Sequence, residues 1–124
     1  MVVDRVADTE VDELFHALAD ATRRDILRRC SGQQPSVSRL AEAYPMSFAA
    51  VQKHVAVLER AGLVTKERRG REQLVHTEAD AVRRARRALD ELETLWRRRV
   101  ERMDELLSED PDPVSDGPME ERQR

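Results

Sequence analysis

The chain has 124 residues, with 22 lysines and arginines against 25 aspartates and glutamates, a formal charge of -3 and only 3% aromatic residues. This length points to one small domain whose core is built from Leu, Val, Ile, Ala and Met rather than from rings. No apolar run approaches the roughly 18 residues of a membrane span, the N-terminus lacks a secretory pattern, and a single cysteine excludes an internal disulfide and fits a reducing compartment.

Residues 1–8 are expected to form a flexible N-terminus. Asp8 or Thr9 then caps a first predicted helix over 9–19, with Val11, Leu14, Phe15 and Leu18 as its apolar stripe. Asp20 reads as the N-cap of a second helix running to about Cys30, burying Ile26 and Leu27 and leaving Arg23, Arg24, Arg28 and Arg29 outside. Residues 31–35 are a loop. Ser36 caps a short third helix carrying Val37, Leu40, Ala41 and Tyr44, and Pro45 and Met46 make a tight turn.

Ser47 caps the fourth helix by accepting a hydrogen bond from an orphan N–H of its first turn. Val51, Val55 and Leu58 repeat at helical spacing, and Gly62 stands where a left-handed residue stops a helix. The opposite face carries Phe48, Ala49, Gln52 and Lys53, a small, polar, cationic surface of the kind that enters a DNA major groove. Two helices joined by a short turn are the helix-turn-helix signature.

Beyond Gly62 the period changes. Residues 63–69 and 72–77 read as a β-hairpin across Gly70 with an arginine-rich tip, Arg68, Arg69 and Arg71. Such a hairpin beside a helix-turn-helix is a wing. From 79 to about 107 the pattern is helical again: Val82, Ala85, Leu89, Leu92, Trp96, Met103 and Leu106 follow a 3-4 spacing, with Val100 filling the seam. A helix of that length spans roughly 40 Å, and its stripe calls for a second helix, most simply its own copy in a homodimer. Residues 108–124, rich in Asp, Glu, Pro and Ser, read as an acidic disordered tail.

Charge is distributed unevenly. The tail holds six acids against two bases, whereas residues 47–71 hold six bases against two acids, a local positive balance suited to phosphate.

Two stretches resemble a known family. Leu18-Ala19-Asp20-Ala21-Thr22-Arg23-Arg24-Asp25-Ile26-Leu27 is similar to the opening signature of the arsenic-repressor (ArsR) family of winged-helix regulators. Residues 47–64 are similar to its recognition-helix pattern, with a Val-x-x-His core and a Leu-Glu-x-Ala-Gly-Leu-Val ending. With wing and long last helix, the resemblance covers about residues 10–107. It implies a bacterial homodimeric repressor binding an inverted-repeat operator and dimerising through its first and last helices. One departure matters. Metal-sensing members carry Cys-x-Cys in the third helix or His and carboxylate ligands in the last, and neither is present here. The chain resembles the non-metal branch, so no metal and no cofactor are expected.

Gln52 and Lys53 are the base-reading candidates, since Gln pairs bidentately with adenine and Lys reaches guanine. Phe48 and Ala49 can touch a thymine methyl, although Phe48 can equally pack on the third helix. Ser47, Ser36 and Ser38 head helices whose N–H groups can face phosphate; capping alone also explains them. Arg68, Arg69 and Arg71 suit backbone or minor-groove contact. His54 matches the family pattern and is expected to orient the recognition helix through a hydrogen bond.

No catalytic constellation appears. The expected architecture is mainly α with a small β-hairpin, a winged helix-turn-helix over 9–107 that dimerises through Val11, Leu14 and Phe15 of its first helix. The last helix, 79–107, contributes Val82, Leu89, Leu92, Trp96, Met103 and Leu106. The expected partner is double-stranded DNA carrying a dyad-symmetric operator, in the bacterial cytoplasm and at the nucleoid when bound, with an effector left open. The alternatives are a winged-helix adapter for another protein, or a redox or ligand sensor acting through Cys30 or the dimer interface.

Overall fold

The computed structural model describes residues 5–108. They form five helices and one hairpin in the order α1 (Arg5–Leu18), α2 (Ala21–Gly32), α3 (Val37–Glu42), α4 (Phe48–Arg60), β1 (Val64–Arg69), β2 (Glu72–Thr77) and α5 (Ala79–Ser108). The chain divides into two units, Met1–Ala88 and Leu89–Arg124.

Helix α1 starts four residues before the expected boundary, so the stretch expected to be flexible is helical from Arg5 onward. No glycine or proline interrupts residues 5–9, and Asp8 in the first turn suits the positive end of the helix dipole. Helix α2 begins at its expected cap: the Asp20 carboxylate accepts the Arg23 backbone N–H at 3.0 Å. It runs past Cys30 to Gly32 into the expected loop. Ser31 continues it by turning its hydroxyl back onto the Arg28 carbonyl at 2.6 Å, satisfying one acceptor of the final turn. Helix α3 stops at Glu42, so Tyr44 lies in the turn before α4.

In the first unit the core gathers one stripe from each element. Leu14 and Ala17 of α1, Ile26 and Cys30 of α2, Val37 and Leu40 of α3, Val51, Val55 and Leu58 of α4, Val64 and Val75 of the hairpin, and Ala81 and Ala85 of α5 are all buried. Fully burying each of the larger aliphatic side chains contributes about 1.5–3 kcal/mol. The small Ala81 and Ala85 let the start of α5 approach closely. Ala85 therefore belongs to the core and not to the open stripe in which its spacing had placed it.

The end of α4 is a Schellman closure. Gly62 adopts φ 79°, its N–H donates to the Glu59 carbonyl at 3.0 Å, and the Leu63 N–H donates to the Leu58 carbonyl at 2.9 Å. The chain then turns directly into β1. The strands pair antiparallel from Val64↔Thr77 to Arg69↔Glu72, leaving Gly70 and Arg71 as a two-residue turn. Gly70 has φ 65° at the first central position, as a type II′ turn requires. The base of the hairpin is tied to the helical body by the Val75 N–H donating to the Pro35 carbonyl at 2.9 Å and by a bridge between Ser36 and Leu74.

Candidate nucleic-acid interface

Helix α4 is two-sided. Ser47 caps it, its hydroxyl accepting the Ala50 N–H at 3.1 Å, and Val51, Val55 and Leu58 hold it to the core. Ala49, Gln52 and Lys53 consequently face solvent, and Phe48 is 47% exposed rather than packed away against α3. An apolar ring left open in the first turn of a helix, beside an amide and an ammonium, makes a surface with a methyl-seeking end and a hydrogen-bonding flank.

A polar junction sets the placement of this helix. Arg23, at the start of α2, donates from Nε to the Ala17 carbonyl at 2.8 Å and from Nη2 to the His16 carbonyl at 2.9 Å, both at the C-terminal end of α1. Its Nη1 lies 3.3 Å from Nδ1 of His54 on α4. A guanidinium can only donate, so in this contact Nδ1 is the acceptor. Asp20 Oδ2 is 3.8 Å from the same Nδ1. The Arg23 backbone N–H, the strongest influence on that carboxylate, holds it below the usual range. His54 thus joins α4 to both α1 and α2, whereas Arg23, expected outside with its neighbours, is half-buried. The sequence offered one pointer to Arg23, its place three residues after an N-cap at a helix-helix corner.

A second polar contact fixes the turn that enters α4. The Tyr44 hydroxyl donates to Asp25 Oδ2 at 2.6 Å, Arg29 Nε donates to the same oxygen at 2.9 Å, and the Arg29 guanidinium stands 5.3 Å from the Tyr44 ring centroid. Tyr44 and Arg29 lower the pKa of Asp25, while burial, followed by the nearby Asp25 carboxylate, pushes the Tyr44 phenol up to about 12.

On the wing, Arg69 is paired with Glu67 at 2.9 Å, and Glu67 also lies 2.8 Å from His76 Nε2 across the strands. Arg68 and Arg71 are exposed and make no ion pair among the described residues. Lys66 reaches Glu59 at 3.4 Å, bracing β1 against the end of α4.

Several expected site residues stand elsewhere. Ser36 is buried and caps α3, its hydroxyl accepting the Arg39 N–H at 3.1 Å, while Ser38 is exposed. Leu14, expected on a dimer face, is 1% exposed because it points into the core. Phe15 packs half-buried against that core, and Val11 is half-buried. Val82, Leu89, Leu92, Trp96, Met103 and Leu106 are all exposed, together with Leu95, Val100 and Leu107. Cys30 is 3% exposed and burial pushes its thiol up to about 11, leaving it protonated at neutral pH.

A family model described as a helix-turn-helix domain matches residues 18–67, from the end of α1 into the wing. The HTH-type transcriptional regulator Rv2034 of Mycobacterium tuberculosis is 31% identical over 101 residues, covering 82% of this chain and 92% of its own length. An ArsR-like transcriptional regulator from Rhodococcus sp. RHA1 has a solved structure that is 31% identical, with a TM-score of 0.71 over 79% of this chain and 92% of that one. The chain belongs to the ArsR family. It is a transcriptional regulator with a helix-turn-helix DNA-binding domain, and not an enzyme. A further similar structure, determined in solution, is the winged helix-turn-helix DNA-binding domain of Mb0332 from Mycobacterium bovis, 26% identical with a TM-score of 0.59 over 76% of this chain and 88% of that one; that domain is homodimeric. No helix among the described residues is long and apolar enough to cross a membrane.

Proposed function

We propose that this protein is a homodimeric repressor that reads a dyad-symmetric operator. In this reading α4 lies in the major groove, with Gln52 and Lys53 on base edges and Phe48 and Ala49 against thymine methyls. Ser47 and Ser38 approach phosphate. Arg68, Arg69 and Arg71 of the wing follow the adjacent backbone or minor groove, and His54 sets the pitch of α4. The carrying observation is the open face of α4: a capped, anchored helix leaves an exposed phenyl, amide and ammonium together on its solvent side.

Two copies related by a dyad would present two α4 helices to half-sites about one helical turn apart. The exposed stripe of α5 supports that pairing, as does the homodimeric relative. Repression then follows from occupying a promoter, with the protein's own among the candidates, in the cytoplasm of a bacterium and on its nucleoid. Residues 109–124 lie outside the described residues, and the acidic tail assigned to 108–124 keeps that role as part of this reading. The third helix carries no Cys-x-Cys and the last helix no histidine, which supports the non-metal branch, and the reading leaves the effector open. The buried, protonated Cys30 gives no support to a thiol-based sensor.

Footprinting of the full chain on DNA upstream of its own gene tests the proposal. A protected dyad-symmetric site is the expected result. If nothing is protected, selection from random DNA decides: an enriched inverted repeat retains the reader with a distant target, and no enrichment replaces it with a protein adapter using the open face of α5.

A further inference from the structure

A cleft of about 630 Å³ opens between the C-terminal end of α2 and the hairpin. That volume lies within the range of about 300–1,000 Å³ typical of small-molecule sites. Its walls carry the carboxylates of Glu67 and Glu78, the hydroxyls of Thr65 and Thr77 and the amides of Gln33 and Gln34, with no lysine or arginine among the lining residues. A ligand that fits is therefore hydrophilic, cationic and rich in N–H donors.

The end of α2 adds to this acceptor surface. Cys30, Ser31 and Gly32 border the cleft, and Gln33 leaves the helix extended, at φ -143°. Among the described residues no backbone N–H from beyond α2 closes its last turn, whereas α3 and α4 are both closed in that way. The last carbonyls of α2, at the negative end of its dipole, thus stay open to a cation. The carboxylates differ in what they already hold. Glu78 accepts the Thr65 hydroxyl at 3.1 Å and makes no ion pair among the described residues. Glu67 is engaged by Arg69 and His76, and its pair with Arg69 is exposed, of a kind that contributes little net energy. Thr65 and His76 are cross-strand partners, and the two glutamates lie two residues to either side of that pair. Their backbone positions are thereby separated by four residue levels, roughly 13 Å along the strands.

We propose that this cleft binds a linear aliphatic polyamine, with one ammonium group at Glu78, a second at Glu67, and the open end of α2 supplying further acceptors. Bound there, the ligand touches α2 and both strands of the wing at once. Its affinity then depends on how the wing stands against the helical body, which makes the cleft an effector site. The binding site stands on the cleft alone; the effector role rests on the DNA reading above, in which the wing follows the DNA backbone.

The test begins with calorimetry of spermidine into the full chain without DNA, at near-physiological salt. One saturable site per chain is expected. Glu78→Gln keeps an acceptor for the Thr65 hydroxyl but removes the charge, and should weaken binding by about tenfold or more. Glu72→Gln removes an exposed acid of the wing that lies outside the cleft, and should change nothing. No saturable binding, or equal weakening by both substitutions, overturns the site, as does zinc binding that displaces spermidine from it. None of these results bears on the operator reading, which footprinting decides separately. Spermidine also binds DNA, so the effector role is read as a difference. On a duplex recovered by footprinting or selection, spermidine should change operator affinity severalfold more in the parent chain than in Glu78→Gln. Equal changes remove the effector role and leave the site. A chain that binds no DNA removes that role together with the operator reading, while the site still stands or falls by calorimetry.

Discussion

Tyr44 is the chain's one tyrosine, so phenolate absorbance reports on it alone. Burial and the neighbouring Asp25 carboxylate disfavour its ionised form, and the expected titration midpoint is about 12, against 10 for an ordinary phenol. Because the folded pKa is raised, the stability it contributes is intact below 10 and drains away as pH climbs towards 12. Asp25 works in the opposite sense. Its carboxyl is held below 3.8, so its contribution is complete above that value and is lost as acid drives it towards protonation. In Tyr44→Phe the loss of stability between about pH 5 and about pH 3 should be smaller than in the parent chain, as followed by thermal melts, because Asp25 then moves back towards its unfolded pKa. On the proposed DNA face, Gln52→Ala should cost about 1–3 kcal/mol at particular bases and little elsewhere. Arg71→Ala should weaken all sequences alike and reduce the slope of log affinity against log salt by about 1. Binding isotherms on matched and mismatched duplexes at several salt concentrations separate the two, and uniform weakening by both would abolish that division of labour.

Helix α4 depends on its two ends. Gly62→Ala forces a side chain into a left-handed conformation, and its Cβ would meet the Arg84 guanidinium at 3.2 Å. The guanidinium end can move aside, so the backbone term dominates, a loss of about 1–2 kcal/mol in denaturant unfolding. A loss near zero would mean that the Schellman closure had reorganised. The caps, the glycines and the hairpin were legible from sequence because each depends on local chemistry: Asp20, Ser36 and Ser47 accept N–H groups three residues on, and Gly62 and Gly70 take up positive φ. The depth at which a side chain lies was less legible. Periodicity groups Leu14 with Val11 and Ala85 with Val82, but whether a neighbour covers them depends on how elements far apart in the chain pack. Arg23 was read as a surface residue for the same reason, since its acceptors are carbonyls at the end of a helix that must first be laid across α2.

For the molecule as a whole, Trp96 is the single tryptophan and stands 65% exposed on an isolated chain. If α5 pairs, indole emission should lie to the blue in concentrated solution and shift to the red on dilution through the dissociation constant. Emission that is independent of concentration while sedimentation reports a dimer would place the contact elsewhere. The junction around Arg23 has a consequence of another kind. What it takes from α1 are main-chain oxygens, those of His16 and Ala17, and Arg24 likewise donates to the Leu18 carbonyl at 2.8 Å. Backbone acceptors are indifferent to the side chains hung upon them. Outward-facing side chains of α1 can therefore change without disturbing what Arg23 and Arg24 hold. In the proposed dimer, that separates the surface α1 offers a second subunit from the seating of α4.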